Sequence, residues 1–118
     1  MPKILLVDDS QTERAMVSSV LQEQGFEMDV AFNGRQGLEK IESSRPDLII
    51  LDILMPEMDG YTMLRELHKK EISIPVILLT KQKEKYMKDL LYFENYSYYL
   101  EKPFKPQELV DRIKEILK

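Results

Sequence analysis

Three continuous apolar runs divide the chain. They lie at residues 4–7, 48–51 and 76–79, and no polar residue interrupts any of them. Continuous runs are typical of strands that are buried on both faces, as in a parallel sheet covered by helices. Two weaker strands are predicted at residues 28–32 and 98–100. The pattern therefore predicts a buried sheet of five strands.

Helical periodicity fills the intervals between these strands. Ser10 and Glu13 have the spacing of a capping box at the start of the first helix, and Gly25 follows the predicted end of that helix. Since strand and helix alternate five times, the sequence predicts an α/β fold, a doubly wound (βα)5 sandwich with a parallel sheet. We expect a single domain over residues 1–118. The helices are predicted at about residues 10–24, 35–43, 61–70, 83–94 and from 106 onward.

Composition limits the chemistry that this fold can carry. The chain has 17 basic and 21 acidic residues and a net charge of -4, which argues against the basic surface of a nucleic-acid-binding domain. The absence of cysteine excludes disulfides and thiolate metal sites. A multi-histidine metal site is excluded as well, because His68 is the single histidine. Any metal ion must therefore be bound by oxygen ligands, which favours Mg²⁺.

Signals for secretion or membrane insertion are missing from the sequence. The apolar run near the N-terminus is shorter than the roughly 7–15 residues of a secretory signal. No apolar run approaches the roughly 20 residues of a membrane span. We expect a cytoplasmic protein that does not associate with membranes.

Polar residues that could bind a ligand follow the predicted strands. Asp8 and Asp9 follow the first strand, Asp52 follows the third, Thr80 follows the fourth, and Lys102 follows the fifth. Ligands of open α/β sheets bind outside the carboxyl ends of the strands. We therefore expect these side chains to converge at one edge of the sheet.

The chemistry of this set points to phosphoryl transfer. Carboxylates that lie close together repel one another, and a divalent cation removes the repulsion. A carboxylate can act as a nucleophile and form an aspartyl phosphate, while a lysine and a hydroxyl can bind phosphate oxygens. The residues predict an acceptor at Asp52, with Thr80 and Lys102 beside it.

Four segments in order resemble one known family. They read VDDS at 7–10, LDILMPEMDG at 51–60, LT at 79–80 and YLEKPF at 99–104. In this order and spacing they resemble the receiver domain of two-component response regulators, the CheY-like family, over residues 3–118. The resemblance implies a flavodoxin-like sheet with the strand order 2-1-3-4-5.

The resemblance also implies roles at the metal and acceptor positions. Asp52 would be the phosphoacceptor. Asp9 and Asp52 would bind Mg²⁺ directly, together with the backbone carbonyl of Leu54. Asp8 would act on the metal through water.

A switch is implied at the neighbouring strand ends. Thr80 and Lys102 would contact the phosphoryl group once it is attached to the acceptor. Tyr99 would change rotamer with the phosphorylation state. The bond between Lys102 and Pro103 would be cis, as is typical of the family.

The partners follow from the same resemblance. A histidine kinase or a histidine phosphotransfer protein would donate the phosphoryl group, and a downstream protein would respond, through an aromatic face at residues 86–99. The domain would be a monomer or a phosphorylation-dependent homodimer. It would not be an enzyme beyond its own phosphotransfer and autodephosphorylation, and it would not bind nucleic acid within this chain.

Two alternatives from other functional classes stay open. One is a receiver-like docking module that works without phosphorylation, since Lys81 and Tyr96 depart from the usual residues of the family. The other is a Mg²⁺-dependent phosphohydrolase with Asp52 as nucleophile, which the lack of a substrate-binding cap disfavours.

Overall fold

The computed structural model describes residues 2–52, 60–80 and 96–118. The predicted fourth helix, Leu54, Lys81 and most of the aromatic segment at residues 86–99 lie outside the described residues. The secondary structure elements of the described part follow the predicted order, and each falls within a few residues of its predicted position. The strands are β1 (Lys3–Val7), β2 (Glu27–Ala31), β3 (Leu48–Asp52), β4 (Val76–Thr80) and β5 (Tyr96–Glu101). The helices are α1 (Gln11–Glu23), α2 (Gly34–Ser44), α3 (Gly60–Lys69) and α4 (Pro106–Ile116).

The strands form one parallel sheet in the order β2-β1-β3-β4-β5. This order and the α/β class confirm the predicted fold. The register brings strand ends to the same level, because Val7 pairs with Leu51 and Asp52 pairs with Leu79. Asp8 and Asp52 therefore emerge next to each other at the carboxyl edge of the sheet.

Two apolar clusters, one on each face of the sheet, form the core. Leu5 and Val7 point into the cluster shared with α2 and α3, whereas Ile4 and Leu6 point into the cluster shared with α1 and α4. All four residues are almost completely buried. Because each strand residue meets a helix layer whichever way it points, the central strands need continuous apolar runs.

The start of α1 differs from the predicted capping box. The Ser10 hydroxyl accepts a hydrogen bond from the Glu13 backbone N–H at 3.2 Å, as predicted. The second half of the box is wrong, since the Ser10 N–H donates to Oδ1 of Asp8 at 2.9 Å. The carboxylate of Glu13 instead contacts Lys102. The local spacing predicted a helix-capping role for the Glu13 side chain. In the fold this side chain instead contacts a lysine at the end of a strand that is far away in sequence.

The second strand begins and ends one residue earlier than predicted. Phe32 therefore lies outside β2, and its side chain is 50% exposed.

The bond between Lys102 and Pro103 is cis, as the family resemblance implied. None of the helices within residues 2–52, 60–80 and 96–118 is long and apolar enough to cross a membrane.

Candidate functional site

Four polar residues end strands at the carboxyl edge of the sheet. Three of them are buried polar side chains that follow apolar strand residues. The fourth residue is Lys102, whose backbone N–H donates to the carbonyl oxygen of Thr80 at 2.7 Å. This hydrogen bond joins the ends of β4 and β5. The residues are Asp8 after β1, Asp52 in β3, Thr80 in β4 and Lys102 after β5.

Three carboxyl groups meet at this edge. Asp8, Glu13 and Asp52 each offer an oxygen, and these oxygens lie within 4.8 Å of one another. Asp8 is completely buried, and Asp52 is 7% exposed. Buried carboxylates at such distances repel strongly unless a cation or a proton compensates them. The cluster therefore has the composition and spacing of a site for a hard divalent cation.

Lys102 supplies a positive charge to the same cluster. Its Nζ lies 2.8 Å from Oε1 of Glu13 and 3.5 Å from Oδ2 of Asp52. Burial by itself would lower the pKa of Lys102, but its hydrogen bond to Glu13 and the charges of Asp52, Glu13 and Asp8 raise it above its ordinary value. Lys102 is therefore protonated at neutral pH and can bind an anion.

The surroundings of Asp8 raise the pKa of its carboxyl group. Burial, followed by a hydrogen bond shared with the Glu13 carboxyl, raises the pKa of Asp8 to about 8, and the negative charge of Asp52 acts in the same direction. The Ser10 N–H opposes this shift by donating to Oδ1 of Asp8. Oδ2 of Asp8 is buried and meets no hydrogen-bond donor among the described residues.

The Asp8 carboxyl group is expected to destabilise the metal-free protein progressively as the pH rises from about 4 to about 8. Over this interval folded Asp8 keeps its proton, whereas the unfolded residue loses it near its ordinary pKa of 3.8. Since the folded state binds more protons, each pH unit lowers the free energy of unfolding by up to about 1.4 kcal/mol. Urea denaturation in a metal chelator measures this slope. A wild type that does not lose stability relative to Asp8→Asn across the interval would contradict the prediction.

Arg14 connects the acidic loop to α1. Its Nη1 donates to the backbone carbonyl oxygen of Asp8 at 2.7 Å, and its guanidinium lies over the ring of Phe32 at 4.3 Å. A hydrogen bond and a cation–π contact from one side chain fix the loop between β1 and α1. The exposed ring of Phe32 beyond β2 thus has a partner in Arg14.

A groove of about 390 Å³ borders the cluster on the side of α1. Glu13 and Lys102 form its polar part, and Met16, Pro103 and Phe104 form its apolar part. The side chain of Met16 is 40% exposed. The ion pair between Glu13 and Lys102 thus lies at the boundary between the acidic cluster and an apolar surface.

The sequence that carries these acids and this lysine matches a known family. The family model for the response regulator receiver domain matches residues 4–114. This chain belongs to the response regulator receiver domain family. The matched residues include every strand of the sheet except the first residue of β1, together with the four residues at the strand ends.

Relatives with the same domain agree in sequence and structure. The alkaline phosphatase synthesis transcriptional regulatory protein PhoP of Bacillus subtilis is 34% identical over 98% of this chain and 48% of its own length. The DNA-binding response regulator MtrA of Mycobacterium tuberculosis is 34% identical over 98% of this chain and 50% of its own length. The chain thus spans about half the length of the curated relatives that it matches. The solved response regulator TrrA of Thermotoga maritima, in complex with Mg²⁺-BeF, is 38% identical with a TM-score of 0.86, covering 98% of both chains.

A receiver domain is a signalling domain of a two-component system, and such domains are generally not enzymes. Receiver domains of response regulators interact with histidine kinases and with downstream targets. They bind Mg²⁺ at an acidic pocket, and this chain has an acidic cluster at the matching edge of the sheet. The predicted class of function is therefore confirmed, while its finer details stay predictions.

The metal ligands implied by the resemblance receive different environments. Asp8 and Asp52 lie in the cluster of carboxyl groups, whereas Asp9 is exposed and does not belong to it. Leu54 lies outside the described residues. The direct binding of Mg²⁺ by Asp9 and by the carbonyl of Leu54 stays a prediction, as does the action of Asp8 through water.

The residues implied as a switch lie on adjacent strands of the receiver. Thr80 is buried at the end of β4, and Tyr99 in β5 is half-buried against the cluster below α2 and α3. The ring of Tyr99 stacks on that of Tyr98 at 5.9 Å between centroids. Their roles in switching stay predictions. His68 is exposed in the last turn of α3.

Glu13 is the residue at the site that sequence reasoning missed. Its spacing from Ser10 fits a helix cap, and that local explanation accounted for it completely. The available signal was its place on the first turn of α1, four residues after Asp9. Only the fold shows that this turn passes close to Lys102.

Proposed function

We propose that this receiver domain accepts a phosphoryl group on Asp52 from a histidine kinase or a histidine phosphotransfer protein. One observation carries the proposal: the Asp52 carboxylate, at the end of β3, has Lys102 Nζ at 3.5 Å and other carboxyl groups within 4.8 Å. A nucleophile flanked by a fixed cation and by ligands for a second cation suits the transfer of a highly charged group.

The transfer exchanges one bond to phosphorus for another. An oxygen of the Asp52 carboxylate forms a bond to phosphorus, while the bond from phosphorus to the donor imidazole nitrogen breaks. The imidazole keeps the electron pair of that bond. Lys102 would neutralise charge on the phosphoryl oxygens, and the Thr80 hydroxyl at the neighbouring strand end would donate a hydrogen bond to one of them.

The acidic cluster fits the Mg²⁺ that the family implies. All its donors are oxygens, and Oδ2 of Asp8 is buried without a hydrogen-bond donor among the described residues. Asp9 and Asp52 would hold the ion directly, together with the backbone carbonyl of Leu54, and Asp8 would act on it through water. When bound, the ion neutralises the carboxylates and the incoming phosphoryl group.

The signal would pass from this domain to a downstream target. We infer that phosphorylation acts on a downstream target through Thr80 and Tyr99, and that the cytoplasm is the compartment of this exchange. Docking through residues 86–99, and dimerisation on phosphorylation, stay predictions because most of that segment lies outside the described residues. Binding of nucleic acid by the chain itself is not part of the proposal.

Incubation with acetyl phosphate and Mg²⁺ tests the proposal. The expected result is one phosphoryl adduct by intact mass, on the peptide that contains Asp52, with little adduct when a chelator replaces Mg²⁺. Acetyl phosphate needs no partner protein, so the experiment tests the chemistry of the domain itself. No adduct in the presence of Mg²⁺, or an adduct on a different peptide, would refute the proposal. Steady release of phosphate from simple phosphate esters would favour the phosphohydrolase instead.

A further inference from the structure

Lys102 is closer to Glu13 than to the proposed acceptor. The distances from Nζ are 2.8 Å to Oε1 of Glu13 and 3.5 Å to Oδ2 of Asp52. The side chains of Glu13 and Lys102 are 20% and 10% exposed, so solvent screens their ion pair only in part. In the resting domain, the lysine that should serve the phosphoryl group is thus held by another acid.

We propose that Glu13 is a positioning residue that holds Lys102 in the resting state and releases it to the phosphoryl group. This inference rests on the proposed function of Asp52. A phosphoryl group carries nearly two negative charges near neutral pH, against the single charge of the carboxylate of Asp52. Phosphorylation therefore shifts the balance of attraction on Lys102 away from Glu13.

The geometry allows this exchange without a large movement of the backbone. Lys102 already lies between the two acids, and its long side chain has rotatable bonds that let the ammonium group change partner. Its backbone is fixed by the hydrogen bond from its N–H to the carbonyl of Thr80. The change is therefore confined to side chains.

The exchange also alters the surface beside the site. Glu13 lines the groove with Met16 and Phe104. When Lys102 leaves, the groove loses its positive charge next to the carboxylate of Glu13. Phosphorylation would therefore make the groove beside α1 more negative.

Two substitutions separate this mechanism from a general effect of charge. Glu13→Gln removes the charge, and Glu13→Asp keeps the charge but withdraws it from Lys102 by one methylene group. If Glu13 holds Lys102 by direct contact, both variants release it. If Glu13 acts only through its negative field, Glu13→Asp behaves like the wild type. Glu23→Gln is the matched control, since Glu23 is an exposed acid on the same helix.

The first measurement uses the resting domain without a phosphodonor. Nuclear magnetic resonance of ¹³C-labelled lysine side chains should show the Lys102 signal shifted in Glu13→Gln and in Glu13→Asp, and unchanged in Glu23→Gln. An unchanged Lys102 signal in both Glu13 variants would overturn the inference. This outcome does not depend on whether Asp52 accepts phosphate.

The second measurement uses beryllofluoride as a mimic of the phosphoryl group, at Mg²⁺ concentrations that saturate each variant. Calorimetry should give at least about threefold tighter binding for Glu13→Gln and Glu13→Asp, the size expected when a partly exposed ion pair no longer competes. Unchanged or weaker binding in both variants, or tighter binding in Glu13→Gln alone, would overturn the inference. Failure of the wild type to bind beryllofluoride would instead count against the proposed function. Circular dichroism of each variant verifies that it is folded. Glu13→Ala is a further variant without the carboxylate and is measured in the same way.

Discussion

Asp52→Asn is expected to abolish the phosphoryl adduct that acetyl phosphate and Mg²⁺ form on the wild-type domain. An amide has nearly the shape of the carboxylate but cannot attack phosphorus as an anionic nucleophile. The substitution also removes the negative charge that lies 3.5 Å from Nζ of Lys102. Intact mass after incubation measures the loss, which should be complete within the detection limit.

Asp111→Asn provides the matched control for this experiment. Asp111 lies exposed on α4, where its carboxylate accepts a hydrogen bond from Gln107 at 2.8 Å. The same chemical change at this position should leave the adduct intact. An adduct of equal size on Asp52→Asn would show that a different residue accepts the phosphoryl group. Far-UV circular dichroism should show that both variants are folded.

Asp8→Asn is expected to stabilise the metal-free domain and to weaken its binding of Mg²⁺. At pH 7 the wild type must hold a proton on a carboxyl group that loses it on unfolding, and the amide does not carry this cost. We expect the free energy of unfolding to rise by about 2–4 kcal/mol at pH 7. Mg²⁺ affinity should fall at least about tenfold, because one of the clustered oxygens no longer carries charge.

Urea denaturation at two pH values, with and without Mg²⁺, measures both effects. The gain in stability should nearly disappear at about pH 3, where unfolded Asp8, with its ordinary pKa of 3.8, is also largely protonated. Mg²⁺ should stabilise the wild type much more than Asp8→Asn. A variant that is less stable than the wild type at pH 7 without metal would contradict the predicted cost of burying Asp8. Asp111→Asn again serves as the control for an exposed position.

The higher stability and the weaker Mg²⁺ binding expected of Asp8→Asn have a common cause. Asp8 is buried among other acids, so the fold bears a cost in the absence of metal that a bound cation removes. Functional sites often retain such locally unfavourable groups. The Asp8 carboxyl is best explained as a ligand-binding group rather than as a contributor to folding.

Sequence patterns predicted the sheet well because burial on both faces leaves a strong signal. The run at residues 48–51 has no polar residue, and each of its side chains is buried in one of the two apolar clusters. The weaker strands were placed less accurately. β2 lies one residue earlier than predicted because three of its five residues are only partly buried, and its exposed first residue extends the strand beyond the apolar pattern.

The sequence predicted the residues of the candidate site that lie at strand ends, but not the one that lies in a helix. Asp8, Asp52, Thr80 and Lys102 each follow or end an apolar run, so their convergence follows from the parallel sheet. Glu13 carries no such mark, since it lies within a helix and fits a capping motif. The resemblance implied different roles for Asp8 and Asp9, but the burial of Asp8 and the exposure of Asp9 were not predicted, because adjacent acids differ in burial only once the chain is folded.

The sequence by itself determined the class of fold, the order of the elements and the chemistry available at one edge of the sheet. These features depend on local periodicity and on the rule that parallel strands end together. Only the tertiary structure decided which acid pairs with Lys102, which acid is buried so that its pKa rises, and that Arg14 ties the acidic loop to Phe32. Such contacts join residues that are far apart in sequence or adjacent but differently oriented, so distances in the folded chain determine them.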